Sequence, residues 1–206
     1  MIETEASSLA RVDGGEKIKC THLKDLTQAD IDIITKHLKP YVDTLADRVL
    51  AHLKSLEADE GGFPVTRLEH NVQCASRALR DGKDEEYVVA ALIHDIGDRL
   101  CTYNHPEMAA AILQPFVRPE LHWMVLNHEV FQGFYFFHLF GKDKEMRQKF
   151  KDHPCYDLTV EFCAKYDAPA FDPNYKSVPF EEFIPMVRRV FAKPRDYIYG
   201  DRFAGM

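Results

Sequence analysis

Val88-Val89-Ala90-Ala91-Leu92-Ile93-His94-Asp95-Ile96-Gly97 decides how the chain is read. Six apolar residues in a row leave no polar face, so this segment is buried on all sides. Glu85 and Glu86 follow Asp84 just ahead of it, as acids do in the first turn of a helix. The segment therefore reads as a helix over 84–96 stopped by Gly97. A histidine and an aspartate stand together at its buried end. Charged and imidazole groups are seldom put there unless something holds them.

The surrounding chain supplies the helices needed to bury such a segment. Thr27-Gln28-Ala29-Asp30 reads as an N-cap, and Ile34, Leu38, Tyr41, Leu45, Val49, Leu53 and Leu56 recur at helical spacing as far as Gly61-Gly62. That predicts one long helix. A second runs from about Pro64 to Asp81-Gly82, with Val65, Leu68, Val72, Ala75 and Leu79 on its apolar face. Pro106 opens a short helix to Leu113, and Pro119 opens another that reaches Phe140 before Gly141. Further helices fit 144–151, 155–166 and 179–192, the last with Pro185 as a kink or late start. No stretch alternates over a strand's length. The fold is expected to be all-α and a single domain over 27–206, preceded by an irregular N-terminal arm over 1–26.

Composition narrows the function. Of 206 residues, 46% are hydrophobic and 29% charged, the balance of a globular protein. Lys plus Arg number 26 against 33 Asp plus Glu, a net charge of −7, so the basic footprint of a nucleic-acid binder is missing. No apolar run is long enough to span a bilayer, and Met1-Ile2-Glu3-Thr4-Glu5 is not a secretory signal. The five cysteines are scattered without a CxxC, which suits free thiols in a cytoplasmic protein. Neither a nucleic-acid nor a membrane partner is expected, and the oligomeric state is left open.

Ten histidines are the compositional signal. Any one of them is more often an ordinary core or surface residue than a ligand, and His22, His37, His52, His122 and His138 keep that reading. His70, His94-Asp95, His105, His128 and Asp167 form an ordered series on or beside the apolar helices. Neighbouring residues on a helix diverge by about 100°. His94 and Asp95 therefore converge only if a carboxylate oxygen swings inward or the aspartate bridges two metals. Four imidazoles and two carboxylates suit two first-row ions such as iron or manganese.

With that series, and with Ala91-Leu92-Ile93-His94-Asp95-Ile96-Gly97-Asp98, the chain resembles the HD-domain superfamily, whose pattern is H…HD…D, over roughly residues 64–190. The extra histidines are similar to those of its dinuclear members. The resemblance implies one metal on His70, His94, Asp95 and Asp167, a second on His105 and His128, and Asp95 as bridge and catalytic residue. Most of the superfamily are phosphohydrolases. A smaller branch uses mixed-valent di-iron, Fe2+/Fe3+, to activate dioxygen. It includes myo-inositol oxygenase and the oxygenases that break the C–P bond of hydroxy-aminoethylphosphonates. Chain length, the full ligand set and the 165–187 segment favour the oxygenase branch. The alternatives are a phosphohydrolase, for which Mn2+ would serve, and a non-enzymatic scaffold.

Two departures shape the substrate expectation. The tyrosine that the phosphonate enzymes carry ahead of the first histidine is absent from Glu60-Gly61-Gly62-Phe63. Three residues after the HD aspartate stands Asp98, where those branches have a lysine or a histidine. A carboxylate there, with the rings of Phe131-Gln132-Gly133-Phe134-Tyr135-Phe136-Phe137, suits an ammonium group. A small hydroxyl-bearing zwitterion is expected, such as a 1-hydroxy-2-(trimethyl)aminoethylphosphonate. Asp98 and Gln132 would contact it, and Lys165 would hold its anionic end in preference to Arg99, Lys142, Lys144, Arg147 or Arg188.

Overall fold

The computed structural model describes residues 15–195. Among them the chain is all-helical, with no strand. Eight α-helices follow one another: α1 (Gln28–Asp43), α2 (Leu45–Ser55), α3 (Arg67–Arg80), α4 (Glu85–Ile93), α5 (His105–Leu113), α6 (Pro119–Phe136), α7 (Tyr156–Phe162) and α8 (Phe180–Phe191). Residues 1–14 of the expected arm, and 196–206 of the expected domain, lie outside the described residues. The rest of the arm holds one 3₁₀ turn, Leu23–Asp25, capped by the side chain of His22.

Helix α4 is the axis of the molecule. Asp84 caps it by accepting from the Tyr87 amide, and every residue from Tyr87 to Ile93 is buried. Helices α3, α6 and α8 pack against it. At ~1.5–3 kcal/mol for each large aliphatic side chain removed from water, Leu92 and Ile93 anchor this packing. Helix α3 opens on a reciprocal capping box between Thr66 and Glu69. Helix α6 starts with Pro119 at its first turn and ends in a 3₁₀ turn, Phe137–Phe140. Gly141 then takes φ 68°, a left-handed backbone that closes the end.

Several elements differ from the reading of the sequence, among them the helix expected over 144–151, which is a 3₁₀ turn, Met146–Phe150. The long helix expected from Thr27 to Gly61 is broken at Thr44, whose φ of −104° and ψ of 11° are not helical. Pro40 lies four residues earlier. It donates no amide hydrogen bond, and its ring crowds the preceding turn. Both the amide and the hydroxyl of Thr44 turn back to the Pro40 carbonyl. The stripe is cut there: Leu38 and Tyr41 are exposed, whereas Val49, Leu50 and Leu53 are buried.

Helix α4 stops at Ile93 rather than Ile96. Beyond it the amides of Ile96 and Asp98 bond three residues back, to Ile93 and Asp95. Finally, the helix expected over 155–166 becomes a π turn over Cys163–Asp167, in which the Ala168 amide reaches the Cys163 carbonyl. π turns of this kind recur at functional sites. Both irregularities fall on residues expected to bind metal. Pro185 lies inside α8, which runs through it unbroken.

Candidate metal centre

Five elements bring the histidine and aspartate series together. His70 lies in the first turn of α3, and His94 and Asp95 lie in the tight turns after α4. His105 opens α5, His128 sits in mid α6, and Asp167 ends the π turn. His70, His94, Asp95, His128 and Asp167 are buried, and the side chain of His105 is 15% exposed. His94 and Asp95 follow one another in the turns after Ile93, where the amide bonds reach three residues back. Their side chains meet, with His94 Nε2 3.3 Å from Asp95 Oδ2.

Asp95 divides the imidazoles into two pairs. Its Oδ2 lies 3.3 Å from both His70 Nε2 and His94 Nε2. Its Oδ1 lies 3.0 Å from His128 Nε2 and 3.2 Å from His105 Nε2. Asp167 Oδ1 joins the first pair, 3.4 Å from His70 Nε2 and 3.7 Å from His94 Nε2. The imidazoles are aimed from behind. Nδ1 of His70, His94 and His128 donates to the carbonyls of Ala170, Ala91 and Val125 at 3.2, 2.9 and 2.7 Å. A carbonyl only accepts, so Nδ1 carries the proton and Nε2 is left with a lone pair facing inward. Further supports hold the carboxylates. Gln132 Nε2, one turn after His128, donates to Asp167 Oδ1 at 2.8 Å. The Asp95 amide faces Asn71 Oδ1 at 3.4 Å, and His52 of α2 reaches the Ile96 carbonyl at 3.1 Å.

A cation fits this donor set. Asp167 Oδ2 is buried and has no hydrogen-bond partner, an orphan that a folded protein seldom tolerates. The first pair with Asp167, and the group of His94, Asp95 and His128, each present ligand atoms within 4.8 Å of one another. Nitrogen and carboxylate donors of this kind suit first-row divalent ions; the metal itself is not fixed by them.

The same crowding shifts the titration of these groups. Burial works against charging His70 and His94. The surrounding Cys74, Asp95 and Asp167 outweigh it and hold both well above the ordinary histidine value. His105 is raised despite burial by Asp95 and Asp98. Burial would raise the two carboxylates, yet the imidazoles hold Asp95 and Asp167 below the usual carboxylate range. The signs follow. The raised histidines stabilise the metal-free fold fully below their unfolded value near 6.5, and this is lost as pH rises through their folded values. The depressed carboxylates contribute above about 3.8 and lose it as pH falls. A metal must displace the histidine protons, so the stabilisation it brings grows with pH. Melting curves with and without Mn2+ should show a gap that widens from about pH 6 to about pH 8. A gap that is constant or narrows contradicts this.

A cavity of about 490 Å³ opens onto His70, Asp95 and His105. Five aromatic rings line it: Phe63, Tyr135, Phe136, Phe140 and Phe171. Phe63 stacks on Phe171 at 4.5 Å between centroids, and Phe171 stacks on His70 at 4.3 Å. Of the residues expected to contact substrate, Gln132 and Asp98 line the cavity. Asp98 is not a free carboxylate, because Arg67 of α3 is ion-paired to it and also to Asp59. Burial and the charge of Asp95 push the Asp98 carboxyl up.

Lys165 is a correction. It does not line the cavity, and its side chain is 56% exposed and paired with Glu161 and Asp81. Residues two apart on a helical turn point to opposite sides, so the neighbour of an inward Asp167 faces out. Arg67, the cation that does line the cavity, was not among the candidates. Its position one turn before His70 on α3 is the signal that could have found it.

Gly97 explains how α5 comes close enough. A Cβ there would stand 2.7 Å from the His105 carbonyl oxygen and 2.9 Å from its Cα. Gly97→Ala should push His105 away, costing ~1–3 kcal/mol in stability. Metal content should then fall, as measured by elemental analysis. Unchanged content would contradict this account of the glycine.

No family model matches the chain, and no curated protein matches it. Fold and site together define an all-helical protein with a buried His/Asp cluster able to hold metal, compatible with an HD-like fold. No helix among the described residues is long and apolar enough to cross a membrane.

Proposed function

We propose that this is a dinuclear HD-type metalloenzyme, an oxygenase that uses O2 to cleave a C–P or C–C bond beside a hydroxyl-bearing carbon. The observation that carries the reading is the split of Asp95: one oxygen faces His70 and His94, the other His105 and His128. Two irons would be held by His70, His94 and Asp167 on the deep side and by His105 and His128 on the outer side, with Asp95 between. Such a pair supplies open positions for a hydroxyl chelate and for O2, and the one-electron chemistry that hydrogen abstraction needs.

The chain's own residues do the remainder. Gln132 orients Asp167, and the backbone carbonyls behind His70, His94 and His128 orient their rings. The Phe63–Phe171 stack roofs His70 and keeps water from that side. Asp98 is largely neutralised by Arg67, so a cationic substrate end falls to the ring faces of Tyr135, Phe136 and Phe140. Arg67, not Lys165, is the basic side chain at the cavity wall, and Asp98 and Asp59 take up its charge. The five cysteines are all unpaired, in keeping with a reducing, cytoplasmic setting.

The test is oxygen uptake by iron-loaded protein with a panel of hydroxylated aminoalkyl and trimethylaminoalkyl phosphonates and with neutral polyols. The reading predicts substrate-dependent uptake, with phosphate released in proportion when a phosphonate is cleaved. Turnover of phosphate monoesters with Mn2+ under anaerobic conditions, and no uptake, would make it a hydrolase instead.

A further inference from the structure

Cys74 lies on α3 four residues after His70, on the same face and fully buried. Its Sγ is 3.8 Å from His70 Nε2. His70, Cys74, His94 and Asp167 present one ligand atom each, all within 4.8 Å of one another. Donors bound tetrahedrally at ~2.0–2.3 Å stand roughly 3.3–3.7 Å apart. Here His70 Nε2 is 3.3 Å from His94 Nε2 and 3.4 Å from Asp167 Oδ1, and His94 Nε2 is 3.7 Å from Asp167 Oδ1. Asp167 Oδ2, buried and unpartnered, supplies an independent sign that a cation belongs in this group.

We infer that the deep half of the centre has a second mode, in which Cys74 joins His70, His94 and Asp167 to take a thiophilic divalent ion such as Zn2+. This rests on the metal-centre reading and adds a regulation to it. A hard ion such as Mn2+ draws its oxygen from Asp95 and leaves the thiol alone. A thiophilic ion takes the sulfur, the thiol proton leaves to solvent, and four protein donors close the coordination. A closed site has no position left for substrate, so the zinc form is an inactive state of the enzyme.

The probe is Co2+, a spectroscopic stand-in for zinc, added to the full-length metal-free protein and to Cys74→Ser and Cys74→Ala. The wild type should show an intense thiolate-to-cobalt band in the near ultraviolet, absent from both variants. Zn2+ affinity, measured by competition with a chromophoric chelator, should weaken in the variants by more than the ~100-fold that loss of an outer-shell partner can cost. Mn2+ affinity should stay the same, which also shows that the variants are folded. Mn2+ binding without a cobalt band in the wild type, or equal Zn2+ affinity throughout, overturns the inference and leaves the metal centre standing. Failure of the wild type to bind any of these ions overturns both.

Discussion

If Asp95 bridges two ions as proposed, Asp95→Asn should abolish the binding of two ions and lower activity by at least about 10³-fold, roughly 4 kcal/mol of transition-state stabilisation. The substitution keeps the shape of the side chain and removes one of its two acceptor oxygens. Whichever way the amide turns, its NH2 faces one pair of imidazole nitrogens and cannot ligate there. The charge that both ions share is lost as well. Among the described residues no other carboxylate faces both pairs, so no other single substitution there should disturb both positions this directly. Elemental analysis after loading, read beside a thermal melt, separates loss of metal from loss of fold. A variant that still holds two ions per chain and turns over would refute the bridging role.

His94→Ala and His105→Ala should differ sharply, although both remove an imidazole. His94 has no exposed surface, and its Nδ1 satisfies the carbonyl of Ala91 inside the core. Its removal leaves a cavity and an unpaired carbonyl, which should cost about 2–5 kcal/mol, along with the deep ion. The His105 side chain lies at the cavity edge, 15% exposed, with no carbonyl behind its ring to be orphaned. Its loss should leave the metal-free melt within about 1 kcal/mol of wild type. On the proposed dinuclear reading, content should drop from two ions to one. Equal stability of the two variants would mean that the buried and peripheral places of these rings are wrongly drawn.

Much of this was legible because local chemistry and global position agree. An unbroken apolar run could only be the central helix, and the His94-Asp95 pair at its end could only be buried. The start of α3 was read slightly early, near Pro64; the reciprocal cap of Thr66 and Glu69 that sets it at Arg67 was missed. The break at Thr44 was hidden because the apolar stripe continues in phase across Pro40. Spacing reports which face is apolar, not whether anything packs against it.

The cavity was harder to read. Arg67 and Asp98 are 31 positions apart, and Phe63 meets Phe171 across more than half the chain. Only tertiary packing makes those pairs. Lys165 was read by its nearness in sequence to Asp167, where the direction of the side chain was what counted. The same long-range packing makes Asp98 a paired carboxylate instead of the free anion suggested by its sequence position.

The central claim is that one aspartate joins two metal positions. Mössbauer spectra and elemental analysis of protein loaded with ⁵⁷Fe test it most directly. Two irons per chain, magnetically coupled in the wild type and uncoupled or missing in Asp95→Asn, is the predicted result. A single isolated iron in the wild type, or none retained, would contradict it.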